Sequence, residues 1–263
     1  MTVGEALRRA EEQLAQAGVD TPRVDAELLV AHVLGVSRTG VHVERDHAMP
    51  EGLEPLLERR RNREPLAYVL GEWGFRRLTL KTDARALVPR PETEVVVERA
   101  LELIRELDRP RVLDVGVGTG AIALAIADEH PGAQVTGVDK SPAALELAAE
   151  NAARLDLRIE LRRAGSDTAG EGWDLVISNP PYVPQGTLSS LQPELDWEPR
   201  EALLEAGLHE EIARAAVTRW LVFEVGAGQA RHVAEMLEAS GYTEVEIGKD
   251  LAGMERVVEG RRT

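Results

Sequence analysis

Between Arg111 and Glu259 short apolar runs alternate with stretches of helical period, and this alternation restricts the fold more than any other feature of the chain. The runs 111–115, 135–138, 159–163, 173–178 and 220–225 read as strands, and 121–127, 141–154, 209–216 and 229–239 as helices. Parallel neighbours need long crossovers, usually helical, whereas a short connection permits antiparallel pairing. The last two runs, 244–247 and 256–259, are separated by only a short turn region. The expected fold is therefore α/β, a mostly parallel sheet with one antiparallel edge strand.

The first 70 or so residues differ in character. Thr2 and Glu5 have capping-box spacing before a helix over 2–17, and Thr21-Pro22 opens a second helix that stops at Gly35. A third is expected over 50–63, ending in Arg59-Arg60-Arg61-Asn62-Arg63, a basic run that reads as a solvated helix end. Gly71, Gly74 and the strand-prone Phe75 to Leu80 suggest a short β-hairpin. The domain reading is thus a helical domain over 1–72, a hairpin linker over 73–88 and a second domain over 89–263.

Two short stretches carry the chemistry. Asp114-Val115-Gly116-Val117-Gly118-Thr119-Gly120 joins a strand to a helix, and its glycines permit a sharp turn and close approach of backbone to a ligand. The spacing is not that of the dinucleotide fingerprint Gly-x-Gly-x-x-Gly. The next strand ends in Asp139, 19 residues past Gly120, where a carboxylate can accept both hydroxyls of a ribose or cap the helix at Ser141-Pro142. The second stretch is Ser178-Asn179-Pro180-Pro181-Tyr182, directly after an apolar strand. Two prolines lack ladder N–H groups and fix φ, so the strand stops at Asn179 in a stiff turn at its carboxyl end. The Asn179 side chain and the Asn179 and Pro180 carbonyls offer acceptors suited to an NH₂ group, and Tyr182 offers a flat wall. Alone, the four letters also fit a merely rigid loop.

Together, the ribose-type acid and Asn-Pro-Pro-Tyr resemble the S-adenosylmethionine-dependent methyltransferases that act on planar NH₂ groups. Such a nitrogen is a poor nucleophile, and acceptors gripping its hydrogens can turn its lone pair toward a methyl donor. More of the chain is similar to the bacterial glutamine methyltransferases that modify peptide chain release factors. The matching stretches are Arg63 to Gly71, Val88-Pro89-Arg90-Pro91-Glu92-Thr93-Glu94, Gly116 to Ala125, Ser178 to Val183, Phe223-Glu224-Val225-Gly226 with Gln229, and Lys249 to Gly253 with Arg256. The resemblance implies a Rossmann-like class I methyltransferase sheet behind a small all-α N-terminal domain that docks substrate. It implies that Gly116, Val117, Gly118, Thr119, Gly120, Asp139, Asp167 and Asn179 contact S-adenosylmethionine, Asp167 through adenine. It also implies that Asn179, Pro180, Pro181 and Tyr182 hold the glutamine amide of a Gly-Gly-Gln loop, with Asn179 and Pro180 catalytic. Ser166-Asp167-Thr168 supplies no aromatic where the family often stacks one on adenine. Glu92 and Glu94, among rigid prolines, are expected to face the cleft.

An adenine or guanine amino methyltransferase would use the same motif, and a plain nucleoside-binding module would not need it. Charge favours a protein substrate. The formal net charge is −15, with 28 Arg, 3 Lys and 46 acidic residues, and neither domain offers the basic footprint of a nucleic-acid binder. No cysteine is present and the six histidines lack paired ligand spacing, so no disulfide or metal site is expected. No apolar run approaches 18 residues and no signal-peptide pattern opens the chain, which together point to a cytoplasmic protein; a monomer without membrane or stable nucleic-acid partners is expected.

Overall fold

The computed structural model describes residues 1–187 and 191–262; Thr263, the end of the expected second domain, lies outside the described residues. Two compact units form: Met1–Glu72 with Gln192–Trp197, and Trp73–Leu191 with Glu198–Thr263.

The first unit holds α1 (Val3–Gln16), α2 (Pro22–Leu34), α3 (Leu53–Arg61) and a short α4 (Leu66–Leu70). The Thr2–Glu5 capping box forms in both directions, and Gly35 ends α2 at φ +66°. Ala6, Ala10 and Leu14 of α1 are buried, as are Leu29 and Val30 of α2 and Leu57 of α3. The arginine run at the end of α3 is a solvated face only in part: Arg59 and Arg61 are exposed, whereas Arg60 and Arg63 turn inward. Arg60 is 5% exposed and pairs with Asp25 at 2.7 Å, also reaching Glu194 at 2.7 Å, while Arg63 grips the other Glu194 oxygen at 2.7 Å. These pairs hold Gln192–Trp197 within the helical unit. Two arginines of a run that looks free in sequence are taken by carboxylates distant in the chain.

The second unit begins with the hairpin β1 (Glu72–Phe75) and β2 (Leu78–Lys81), whose turn places Arg76 at φ +51°. Helix α5 (Thr93–Ile104) precedes a seven-stranded sheet. Its strands are β3 (Arg111–Val115), β4 (Gln134–Asp139), β5 (Glu160–Arg163), β6 (Trp173–Ser178), β7 (Thr218–Glu224), β8 (Thr243–Lys249) and β9 (Glu255–Arg261). Between them run α6 (Ala121–Glu129), α7 (Pro142–Leu155), α8 (Leu208–Ala215) and α9 (Ala230–Ala239). The order is β5-β4-β3-β6-β7-β9-β8, parallel up to β7. The reversed strand is the last one, β9, inserted between β7 and β8 so that it lies one place in from the edge.

Strand alternation distributes the core over the two faces. Val112, Leu175, Ile177, Val222 and Val257 pack with α5, α6 and the hairpin residues Phe75, Leu78 and Leu80. Their neighbours Leu113, Val115, Val176, Leu221, Phe223 and Val258 pack on the other face with Ile212 of α8 and Val233 and Leu237 of α9. The order reverses at β3, with β4 on one side and β6 on the other. Open sheets of this kind bind ligands at the carboxyl ends beside such a switch point. The glycine loop follows β3 and Asn179 follows β6, so 63 residues of chain separation between paired Leu113 and Val176 collapse to one strand spacing.

Candidate active site

A cavity of about 650 Å³ opens at these carboxyl ends. Gly116, Val117, Gly118 and Thr119 form its floor, with Asp139 at one side and Asn179 and Pro181 at another. The loop is fixed by backbone bonds: the N–H groups of Gly116 and Val117 both donate to the Val138 carbonyl, at 2.8 and 3.0 Å. Buried Asn151 of α7 clamps it from behind, donating to the Thr119 carbonyl at 2.9 Å while exchanging hydrogen bonds with Lys81 of β2. Gly116 sits at φ +81°, and a Cβ added there would meet no protein atom within 4 Å, so bare backbone faces the open cavity. Gly120 serves a different purpose. It is absent from the cavity wall, and a Cβ there would stand 2.8 Å from Leu124.

Asp139 lines the cavity and at the same time braces the turn into α7. Its Oδ1 accepts from the Ser141 N–H at 2.9 Å and its Oδ2 from the Gly118 N–H at 3.1 Å, while Ser141 Oγ itself caps α7. A carboxylate has about four lone-pair sites, so acceptor capacity remains on the side facing the cavity. Asp114, deeper in the floor, is fully enclosed. Burial pushes its carboxyl up to about 7, against one hydrogen bond from the Ala123 N–H, and its Oδ1 has no hydrogen-bond partner among the described residues. Asp167 does not reach the wall. It is exposed on a 3₁₀ turn (Ser166–Glu171), and Ala164, Gly165 and Ser166 line the cavity there instead. No aromatic ring lines the cavity among the described residues.

Pro180 is buried and Tyr182 half-buried behind the wall that Asn179 and Pro181 present. Beneath them lies a polar chain. Asn179 Nδ2 donates to Thr93 Oγ at 3.2 Å, Thr93 Oγ donates to Glu224 Oε2 at 2.6 Å, and the Tyr182 hydroxyl donates to Glu224 Oε1 at 3.3 Å. Thr93 and Glu224 are 4% and 1% exposed. Burial pushes Glu224 up to about 7 and the Tyr182 phenol up to about 12, the latter helped by the nearby Glu224 charge. Gln229 fixes the backbone of the motif, donating to the Tyr182 carbonyl at 2.9 Å and accepting from the Gly226 N–H at 3.0 Å.

Sequence reasoning does not find the roles of Thr93 and Glu224, although both lie within the stretches that carry the resemblance. The available signal is an acid closing the apolar strand β7. The proline-rich stretch before α5 does reach the cavity, through Leu87, Val88, Pro89, Arg90 and Thr93. Glu198 anchors it, accepting from the Val88 N–H at 2.9 Å and from Arg90 at 2.5 Å. Glu94 differs from expectation: it turns away, accepting from the Arg76 N–H at 2.9 Å and so locking the hairpin turn.

Fold and site together define a Rossmann-like methyltransferase. A domain described as "Methyltransferase small domain" matches residues 95–206, and one described as "PrmC N-terminal domain" matches residues 5–71. Among solved structures, the hMettl16 catalytic domain in complex with the MAT2A 3'UTR hairpin 6 is similar at TM-score 0.55 and 15% identity, over 69% of this chain and 74% of that one. That likeness is one of fold. Proteins named "Release factor glutamine methyltransferase" align over essentially the whole chain: 40% identity with that of Deinococcus radiodurans (100% of this chain, 99% of the relative) and 39% with that of Vibrio cholerae (99% and 97%). The chain belongs to the release factor glutamine methyltransferase family.

Proposed function

We propose that the protein transfers a methyl group from S-adenosylmethionine to the side-chain amide nitrogen of the glutamine in the Gly-Gly-Gln motif of peptide chain release factors. The observation that carries the reading is Asn179: its side chain stands in the cavity that holds the glycine loop and Asp139, and its one side-chain hydrogen bond among the described residues is made by Nδ2. The carboxamide oxygen is thereby left as an acceptor.

The residues fit the methyl donor. Gly116 leaves open space against backbone, Asp139 keeps lone pairs toward the cavity, and Gly118 and Thr119 lie between them. When bound, S-adenosylmethionine supplies an electrophilic sulfonium methyl group. Asn179 Oδ1 and the Pro180 carbonyl accept the two hydrogens of the glutamine NH₂, so the nitrogen lone pair is turned out of amide conjugation and toward that methyl. The same acceptors stabilise the positive charge that grows on nitrogen in the transition state. Pro181 walls the amide, with Tyr182 backing the motif from behind. Proton loss follows methyl transfer, so no strong base is needed beside the nitrogen.

The helical unit is assigned to docking the release factor, because every cavity-lining residue belongs to the other unit. The protein acts in the cytoplasm as a monomer, without a stable nucleic-acid partner. No helix of the described residues is long and apolar enough to cross a membrane. Incubation with labelled S-adenosylmethionine and either purified release factor or nucleic acid tests the reading. Label is expected on the release factor glutamine, and label on nucleic acid alone would overturn it.

A further inference from the structure

The Asn179 carboxamide has two orientations of equal shape, related by exchange of Nδ2 and Oδ1. Only one presents an oxygen to an incoming NH₂. The partners of Asn179 select between them. An ionised Glu224 can only accept, so the Thr93 hydroxyl 2.6 Å from its Oε2 must be the donor. Having committed its hydrogen, Thr93 Oγ can only accept from Asn179 at 3.2 Å, and only the Nδ2 end can donate. The second carboxylate oxygen is met by the Tyr182 hydroxyl, leaving Glu224 no freedom to turn.

We propose that Glu224, acting through Thr93, is a positioning residue that holds the Asn179 carboxamide with its oxygen toward the substrate amine. The proposal rests on the reading of Asn179 as the acceptor for that amine. The chain joins three segments: the start of α5, the end of β6 and the end of β7. Its inner members, Thr93 and Glu224, are shielded from water, where alternatives to the ordered arrangement would otherwise compete.

The charge state of Glu224 sets the direction of the whole chain. Burial raises its carboxyl to about 7, Thr93 and Tyr182 pull it down, Glu92 at the start of α5 raises it and Arg256 on β9 lowers it. His209 of α8 meets the Glu224 backbone carbonyl at 2.9 Å. A protonated Glu224 can donate to Thr93, the hydroxyl is then free to turn toward Asn179 Oδ1, and the carboxamide can flip. Turnover should therefore rise with pH through the neutral range.

The test compares Glu224→Gln, Thr93→Val, Thr93→Ser and Asn179→Ala in the full chain, with a release factor as substrate. Glutamine keeps the shape of Glu224 but can donate to Thr93. Glu224→Gln and Thr93→Val should lower kcat about 10- to 100-fold, the scale for losing a group that orients a reacting one, with S-adenosylmethionine affinity by calorimetry unchanged in Glu224→Gln, whose side chain is off the cavity wall. Thr93→Ser, which keeps the hydroxyl, should stay within a few-fold of the parent. The neutral-pH rise should vanish in Glu224→Gln; Asp114, which titrates in the same range, is present in both proteins and cancels in the comparison. Parental kcat and pH profile in Glu224→Gln beside an inactive Asn179→Ala would overturn the positioning role alone. Parental turnover in Asn179→Ala would remove the underlying reading with it. Thr93→Ser as slow as Thr93→Val would reduce Thr93 to packing, and if Thr93→Val does not fold, the Glu224→Gln pH profile decides.

Discussion

Glu224 is held in a place where folding would prefer it neutral. Its carboxyl is raised from 4.5 to about 7, chiefly by burial, so the folded protein binds a proton that the unfolded chain has already released. The contribution to stability is full below the unfolded value and is lost as pH rises to about 7. Glu224→Gln does not titrate, so its stability relative to the parent should improve by about 3 kcal/mol between pH 4 and pH 8, measured by urea unfolding at both. A difference that stays flat with pH would mean the carboxylate is solvated in the folded state. A variant that is more stable at pH 8 and slower would show stability given up to keep a charge in the site. Asp139 accepts from the Gly118 and Ser141 N–H groups and lines the cavity. Asp139→Ala should cost about 1.5–3 kcal/mol of S-adenosylmethionine affinity by calorimetry, the range for hydrogen bonds to a charged group. Unchanged affinity would remove Asp139 from the site. Both Asp139 and Asn179 can be read from sequence because each ends a strand and the flanking residues dictate a turn. Thr93 and Glu224 cannot, because they lie 131 residues apart and nothing in a strand-ending acid names its partner.

At the scale of elements, the glycine loop separates two uses of the same residue. Gly116 and Gly120 both lie at positive φ, +81° and +87°, so alanine costs about 1–2 kcal/mol of backbone strain at either. Beyond that they diverge. An alanine methyl at Gly116 would occupy cavity space, whereas at Gly120 it would strike Leu124 at 2.8 Å and crowd Ala148 at 3.5 Å. Gly116→Ala should therefore lose S-adenosylmethionine binding with a modest drop in stability, and Gly120→Ala should lose more stability than binding. Thermal unfolding and calorimetry on both variants distinguish the two; equal losses of affinity would place Gly120 in the wall after all. The sheet and its principal helices are legible because periods of 2 and 3.6 persist over whole elements. Helix α4 is not, being five residues long and so spanning less than two turns of the 3.6-residue period. The place of β9 inside the edge is also hidden, since a short connection predicts antiparallel pairing of β8 and β9 but not which of them meets β7.

For the molecule as a whole, Glu194 shows how a chain segment can belong to a unit far from it in sequence. The two oxygens of Glu194 take guanidinium groups from Arg60 and Arg63, and its carboxyl is held below the usual range by those bonds despite the opposing effect of burial. Side chains of Arg60 and Asp25 are 6% and 5% exposed, so that pair lies where water screens little, while Arg63 and Glu194 keep 17% and 14% of theirs. Composition cannot reveal this, since four arginines in five residues ordinarily mean solvent, and the partners lie 131 and 134 residues away. Glu194→Ala leaves Arg60 with Asp25 and the Glu64 carbonyl, and Arg63 with the Gly18 carbonyl. The loss should be about 1–2 kcal/mol in urea unfolding, between an exposed pair and a buried one, because Glu194 is only partly buried and neither guanidinium is fully stranded. Amides over Gln192–Trp197 should then exchange hydrogen faster, while S-adenosylmethionine affinity stays at the parental value because every cavity-lining residue lies in the other unit. Unchanged exchange over that segment would mean that contacts other than Glu194 hold it. Weakened cofactor binding would mean that the segment influences the cavity despite contributing nothing to its wall.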